Sequence, residues 1–292
     1  MARRLPSWIK GKKFFSKDVH QLKEVLRKNG LHTVCESARC PNIGECFSRT
    51  TATFLIMGSV CTRQCRYCAV LGGTPEEIEP DEPERVASAV EEMGLRHVVI
   101  TSVTRDDLPD GGSLHFEKTV QAVRKRKCTR VIEVLVPDFC GKKEDIKRVA
   151  EAGPDIYNHN VETVPSLYKL VRPQADYKRS LSIFETVKGA CPDITTKSGL
   201  MVGLGESQKE VIAVLQDMNN AGCEMVTIGQ YLRPDKESVG LKEYVHPDVF
   251  KMYADVALKI GFRDVASAPL VRSSYNADLT FKKMDGTPDE SV

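Results

Sequence analysis

The chain has 292 residues, 41% of them apolar and 28% charged, which suits one large domain or two ordinary ones and excludes a wholly disordered chain. No apolar run approaches the ~20 residues of a membrane span, and no apolar segment follows the basic start MARRLPSWIKGKKFF, so neither a membrane protein nor a secreted one is expected. The 42 basic and 40 acidic side chains nearly balance, which argues against a dedicated nucleic-acid binder. The balance is uneven along the chain: residues 1–30 hold nine basic and two acidic side chains, a local net of +7 that leaves −5 for the rest. Such an arm is either a solvated tail or a dock for an acidic partner.

In chain order, the first predicted element is a helix with Ser16 as N-cap, an apolar stripe of Val19, Leu22, Val25 and Leu26, and Gly30 at its end. Residues 31–50 contain Pro41 and Gly44 and read as an ordered loop that periodicity does not explain. An alternation follows. Strands are expected at 53–60, 97–103, 130–136, 155–159, 196–202, 225–229 and 264–268. Helices are expected between them at 83–93, 113–127, 142–152, 177–190, 208–221 and 247–260, the last with Pro247 in its first turn. The closing MDGTPDESV reads as a frayed end. Six βα units and a seventh strand suggest a parallel barrel, complete or partial, rather than a doubly wound sheet. Barrel chemistry sits at the C-terminal ends of the strands. The polar clusters fall there: CTRQC after the first strand, TRDD after the second, NVET after the fourth and RSSY after the last.

Of ten cysteines, six lie between Cys35 and Cys68. Such clustering in a long chain without an export signal points to metal rather than to a disulfide framework. Cys61, Cys65 and Cys68 stand in SVCTRQCRYCAVL with C-x3-C-x2-C spacing, directly after an apolar strand. Three thiolates so close need a cation to remain ionised, and iron–sulfur clusters are held in this way. Three ligands on a four-iron cubane leave one iron open to a small molecule, as catalytic zinc sites keep one position open. Tyr67 then lies inside the cluster loop. Zinc, with no fourth ligand nearby, and inert buried thiols are the other readings. Cys35, Cys40 and Cys46 stand in CESARCPNIGEC with C-x4-C-x5-C spacing, where His32 would complete a Cys3His zinc site. Cys128, Cys140, Cys191 and Cys223 stand alone and read as small buried hydrophobes. A metal-stabilised module that clamps a partner is a rival from another class, and the strand-end position of the second triplet speaks against it.

C-x3-C-x2-C with an aromatic residue before the third cysteine, on the first loop of an α/β barrel, resembles the radical S-adenosylmethionine superfamily. There the open iron chelates the methionine moiety, and an electron from the cluster releases a 5′-deoxyadenosyl radical. The segments CESARCPNIGECF, FLIMGSVCTRQCRYCAV, TSVTRDDLPDGG, NHNVETV, KSGLMVGLGE, IGQYLRP and VRSSY, in order over about residues 30–280, resemble the lipoyl synthase family. The fold this implies is α/β, a partial parallel (β/α)6-type TIM barrel with N- and C-terminal extensions, divided as 1–50, 51–262 and 263–292. The implied activity is that of a sulfurtransferase, which inserts two sulfur atoms at carbons 6 and 8 of a protein-bound octanoyl group. Those carbons are unactivated, so no general base removes their hydrogens, whereas a primary carbon radical does.

The resemblance further implies two [4Fe–4S] clusters and two molecules of S-adenosylmethionine per product. The catalytic cluster falls to Cys61, Cys65 and Cys68. The auxiliary one falls to Cys35, Cys40 and Cys46 with Ser274 of RSSY as fourth ligand; its sulfide is attacked by the substrate radical, so it must be rebuilt between turnovers. Oxygen is a hard ligand on iron otherwise held by soft sulfur, which would ease its departure. By its position alone, Ser274 reads as a hydroxyl that caps a turn. Candidates to hold S-adenosylmethionine are Tyr67, Thr101, Arg105 and Asp106, then Asn160, Glu162 and Lys197. TSVTRDD stands where the superfamily usually carries a GGE-like segment. Arg272 is a candidate for cofactor or substrate binding, for cluster charge or for a structural acid. Gly203 and Gly205 are read as places of close backbone approach rather than phosphate binding.

The implied partners are an octanoylated lipoyl carrier domain or glycine-cleavage H protein, an electron donor such as ferredoxin or flavodoxin, and an iron–sulfur carrier that rebuilds the cluster. Neither nucleic acid nor membrane is expected. The expected compartment is the cytoplasm, or mitochondria or plastids in a eukaryote. An acidic carrier would favour the basic arm as its dock. Deleting residues 1–15 is then expected to raise KM for the carrier and to flatten its dependence on salt; unchanged kinetics would return the arm to a tail. The whole reading requires Cys46 and Cys68 to face one cavity.

Overall fold

The computed structural model describes residues 5–9, 17–37, 40, 42–48 and 51–274. Ser16, most of the basic arm and the chain beyond Ser274 lie outside them. The first helix, α1 (Lys17–Lys28), ends before Gly30, whose φ is +59°. The stretch expected as a loop over 31–50 instead forms a short strand, β1 (His32–Thr33), and two short helices, α2 (Val34–Ser37) and α3 (Ile43–Ser48). Gly44 falls in the first turn of α3 without breaking it, and Pro41 lies outside the described residues. Helices this short are held by tertiary contacts, which hydrophobic periodicity does not report. β1 pairs antiparallel with β2 (Ala52–Ile56), His32 opposite Leu55.

The first parallel strand was expected to run to residue 60 and stops at Ile56. Met57 and Gly58 take left-handed φ of +65° and +88° and turn the chain. The Met57 N–H donates to Glu82 Oε2 at 2.9 Å, and that carboxylate also meets His115 Nε2 at 2.7 Å. Val60 and Cys61 then form β3 (Val60–Cys61), paired with β4 (Leu71–Gly72) beside the main sheet.

The alternation continues as expected through α4 (Glu82–Glu92), β5 (His97–Ser102), α5 (Ser113–Arg126), β6 (Val131–Leu135), α6 (Lys143–Glu151) and β7 (Ile156–Asn158). A short α7 (Tyr168–Val171) precedes α8 (Tyr177–Ala190) and β8 (Thr195–Val202). Then come α9 (Gln208–Asn220), β9 (Met225–Gln230), α10 (Pro247–Ile260) and β10 (Asp264–Ser267). Ser207 and Glu210 form a reciprocal capping box on α9, and Pro247 opens α10.

The sheet order is β1-β2-β5-β6-β7-β8-β9-β10, every pair after the first being parallel. Among the described residues the end strands do not pair, so the barrel is partial, with six βα units and a seventh strand. Most parallel strands are buried on both faces. Their outer faces (Val98, Ile100, Ile132, Val134) pack under Phe116, Val120 and Val149 of the helices. Val226 and Ile228 of β9 pack likewise under Val214, Met218 and Phe250. The inner face carries a polar layer. Glu133 on β6 binds Lys197 Nζ at 2.9 and 3.1 Å, His97 Nε2 at 3.2 Å and Asn158 Nδ2 at 2.9 Å.

Of the four solitary cysteines, only Cys223 is buried. Cys128 and Cys191 are partly exposed, and Cys140 is exposed because it sits in a left-handed turn, φ +53°, between Phe139 and Gly141.

Candidate active site

A cavity of about 560 Å³ lies at the C-terminal ends of the parallel strands, as the strand-end rule requires. Cys35, Cys40, Cys46, Cys61, Cys65, Cys68 and Ser274 all line it, so Cys46 and Cys68 face one space. Much of the remaining wall is apolar, including Leu55, Val103, Leu135, Val136, Met201 and Leu232.

The second triplet is held by its loop. Thr62 N donates to Thr104 O at 3.0 Å, Arg66 N to Val171 O at 2.9 Å and Gly73 N to Cys61 O at 3.0 Å. Backbone N–H groups of Arg63 and Thr104 point at Cys61 Sγ, 3.4 and 3.3 Å away, and that of Val70 at Cys68 Sγ, 3.4 Å away. The Val70 donor pulls the Cys68 thiol down, against the burial that raises it. Arg63, 6% exposed, pins the loop to the neighbouring strand ends: Nε meets Asp106 at 2.6 Å and an Nη meets Asp138 at 2.7 Å.

The first triplet is held by β1, α2 and α3 against β2. Cys40 N donates to Cys35 O and Cys46 N to Asn42 O, both at 3.0 Å. The C-terminal segment closes over it, with Asn42 Nδ2 donating to Leu270 O at 2.7 Å. This approach requires a glycine, because a Cβ on Gly229 would strike the Val271 carbonyl.

Burial pushes the Cys35 thiol up to about 12 and Cys68 to about 11, and it raises Cys40 and Cys65 as well. These thiols are therefore neutral near pH 7 unless a cation compensates them. Each triplet has an arginine beside it that opposes the burial: Arg272 near Cys40 and Arg172 near Cys65. Among the described residues, no three His, Cys, Asp or Glu side chains converge as a single ion would need. Thiolates on one tetrahedral zinc sit about 4 Å apart, whereas a multi-iron group spans more. Six soft donors in two sets, each with an arginine beside it, are of the type that holds iron–sulfur groups.

Another part of the lining is polar. Tyr67 Oη donates to Glu162 Oε1 at 3.0 Å, and Asn160 Nδ2 donates to the same oxygen at 3.0 Å and to Ser273 Oγ at 2.7 Å. Glu162 holds a left-handed φ of +69°, a strained conformation for a residue with a side chain. Burial raises its pKa, against the pull of Arg172, Asn160 and Tyr67. Arg172 donates to the Asn160 and Val161 carbonyls at 2.9 and 3.1 Å and lies 5.6 Å from the Tyr168 ring centroid. Burial and then Arg172 push His159 down to about 4, so it is neutral. Its Nδ1 faces the Val136 carbonyl at 2.9 Å and carries the proton, leaving Nε2 to accept from Ser180 at 3.2 Å.

Residues 55–218 match the model of the radical SAM superfamily, and residues 1–40 match that of the N-terminal domain of lipoyl synthase. The lipoyl synthase of Caldanaerobacter subterraneus subsp. tengcongensis is 55% identical over 96% of this chain and 98% of its own length. That of Alkaliphilus metalliredigens is 51% identical over 96% and 97%. The chain belongs to the lipoyl synthase family. Among solved structures, methylornithine synthase covers 93% of this chain and 89% of its own at 14% identity and a TM-score of 0.54. The hydrogenase maturase HydG from Carboxydothermus hydrogenoformans covers 92% and 78% at 16% identity and a TM-score of 0.57. These two likenesses concern the fold. Membership in the superfamily brings a [4Fe–4S] cluster and S-adenosylmethionine.

For a lipoyl synthase, the sequence-derived candidates divide clearly. Tyr67, Thr101, Asn160, Glu162 and Arg272 line the cavity; Arg105, Asp106 and Lys197 do not. Arg105 grips Asp107 at 2.8 Å and the Met57 carbonyl at 3.3 Å, and Asp106 serves Arg63. Lys197 lies one pleat repeat, about 7 Å, below Gly199, which does line the cavity. Thr101 Oγ1 donates to the Leu135 carbonyl at 2.8 Å. Arg272 forms no ion pair with a described carboxylate. His32, weighed for zinc, is exposed on β1 and outside the lining. Gly203 packs against Gln230 and the Glu243 carbonyl, a close approach as expected. The sequence reading missed Arg172, Arg63 and Asn42. Arg63 and Asn42 stand inside the two cysteine motifs, which was the available signal.

Gly199→Ala tests the polar wall. Its Cβ would lie 2.6 Å from Asn160 Oδ1 and 2.9 Å from Ser273 Oγ. Such overpacking costs about 1–3 kcal/mol. Affinity for S-adenosylmethionine is expected to fall roughly tenfold, as that energy implies, with the fold retained, by equilibrium titration and circular dichroism.

Proposed function

We propose that the protein inserts sulfur at carbons 6 and 8 of an octanoyl group borne by a lipoyl carrier, one S-adenosylmethionine being used for each carbon. The observation that carries this is the sharing of one largely apolar cavity by both thiol triplets and Ser274. When bound, the iron–sulfur group on Cys61, Cys65 and Cys68 supplies the electron that cleaves S-adenosylmethionine, and that on Cys35, Cys40, Cys46 and Ser274 supplies sulfur.

The chain's own residues position and shield. Asn160 Oδ1 is buried with no partner, an acceptor suited to a ribose hydroxyl. Tyr67 and Glu162 fix the wall beside it, while Arg172 offers positive charge to a carboxylate. Leu55, Val103, Leu135, Val136 and Leu232 suit an alkyl chain and exclude water from a carbon radical. No neutral-pH general base is needed.

Of the division at 1–50, 51–262 and 263–292, the two family matches bear on the first boundary alone, since they fall on either side of residue 50. A reducing compartment, the cytoplasm in a bacterium, is supported by ten cysteines with no disulfide among them. No helix of the described residues is long and apolar enough to cross a membrane. An octanoylated domain such as the H protein, a low-potential donor such as ferredoxin or flavodoxin, and an iron–sulfur carrier for repair complete the proposal.

The test is mass spectrometry of an octanoylated lysine peptide after anaerobic incubation with S-adenosylmethionine and reductant. Gain of two sulfurs is expected, with hydrogen unchanged while the product stays a dithiol and two hydrogens fewer once it closes to the cyclic disulfide. No sulfur gained by enzyme carrying its full iron would overturn the reading.

A further inference from the structure

We propose that Asn42 is the positioning residue that delivers Ser274 to the N-terminal thiol triplet. The proposal rests on the reading above, in which Ser274 completes that donor set.

Asn42 stands between Cys40 and Cys46 and is 5% exposed. It is tied to the triplet by position and by bonding: it stands two residues after Cys40, and its carbonyl accepts from Cys46 N at 3.0 Å. Its side chain reaches across 228 positions of sequence to the Leu270 carbonyl, 2.7 Å from Nδ2. One residue thus ties the thiols to the segment that carries the serine.

Little slack remains between Leu270 and Ser274. Gln230 N donates to Pro269 O at 3.3 Å and Val271 N to Ala268 O at 3.0 Å. The Val271 carbonyl lies against Gly229. Ser273 Oγ accepts from Asn160 Nδ2 at 2.7 Å. The segment is held at 270 by the N-terminal extension and at 273 by the barrel, and Ser274 follows at once. A serine on a loose tail would pay ordering entropy on binding. A hydroxyl is a poor match for iron among soft donors, so it depends on being placed in advance.

The experiment compares Asn42→Asp and Ser274→Ala with the unaltered full-length enzyme after anaerobic reconstitution. Asn42→Asp is isosteric and sets an oxygen against the Leu270 carbonyl. Four quantities are read: iron per chain, the Mössbauer spectrum, 5′-deoxyadenosine formed, and hydrogen exchange of a peptide over 268–274. Asn42→Asp is expected to keep about eight irons and normal 5′-deoxyadenosine formation. Its Mössbauer spectrum should match that of Ser274→Ala, the peptide should exchange faster, and sulfur insertion should fall roughly 10–100-fold.

An unaltered spectrum in Asn42→Asp, with Ser274→Ala altered, would overturn the role of Asn42 and leave that of Ser274 standing. Loss of four irons in Asn42→Asp, with Ser274→Ala retaining them, would also overturn it, since Asn42 would then hold thiols rather than the serine. An unaltered spectrum in Ser274→Ala would sink the underlying reading and the proposal together.

Discussion

Cys65→Ala is expected to abolish both 5′-deoxyadenosine and sulfur-inserted product, whereas Cys40→Ala should abolish only the product. Each substitution should remove about four of about eight irons. The reason is geometric. The two triplets are built on separate segments and anchored independently: Cys61–Cys68 by Thr104, Val171 and Arg63, and Cys35–Cys46 by β1, Asn42 and Leu270. Each has its own arginine, Arg172 or Arg272, so the loss of one triplet does not strip the other of its compensating charge. Yet both line the same cavity, so a chain lying against one triplet shares its space with the other. Iron analysis with chromatography of the two products decides it. Loss of 5′-deoxyadenosine in Cys40→Ala would show that the triplets form one site and would end the division of labour.

Lys197→Met is expected to destabilise the fold by about 3–5 kcal/mol, because it leaves a buried carboxylate without its cation. Glu133 is fully buried. Burial alone would raise its pKa, but Lys197, His97 and Asn158 outweigh burial and hold it at about 2, against an ordinary 4.5. In the native protein this stabilisation is complete above about pH 4.5 and is lost as the pH falls towards 2. Without Lys197 the folded pKa rises above the unfolded one. The variant should therefore gain stability as the pH is lowered from 7 to 5, the opposite slope. Denaturant titrations at several pH values measure both effects. A second change, Glu133→Leu, should restore most of the loss by removing the stranded charge. An unchanged midpoint in Lys197→Met would refute a structural role for the pair and return Lys197 to the S-adenosylmethionine candidates.

The basis of that prediction lies in depth, which a linear pattern does not carry. Lys197 and Gly199 share a strand face and differ by one pleat repeat, yet one lies in a sealed polar layer and the other lines the cavity. Arg105 and Asp106 likewise stand in a strand-end cluster, where sequence places ligand-binding groups. There they pair with Asp107 and Arg63 and brace the cluster loop instead.

The local patterns were decisive where structure is made locally. Short apolar runs alternating with stripes of period 3.6 set the order of strands and helices, and the bounds of α8 and α10 coincide with those expected. The thiol spacings and the polar groups after strands marked the site, because strand ends are where a parallel barrel leaves side chains unburied. Tertiary structure alone decided the antiparallel β1, the short α2 and α3, the left-handed turn at Met57, and the parts played by Arg172, Arg63 and Asn42. Each of these depends on a partner far along the chain, Asn42 on Leu270 most plainly. A hydrogen bond between distant segments leaves no periodic trace in either of them, so it becomes visible only once the chain has closed on itself.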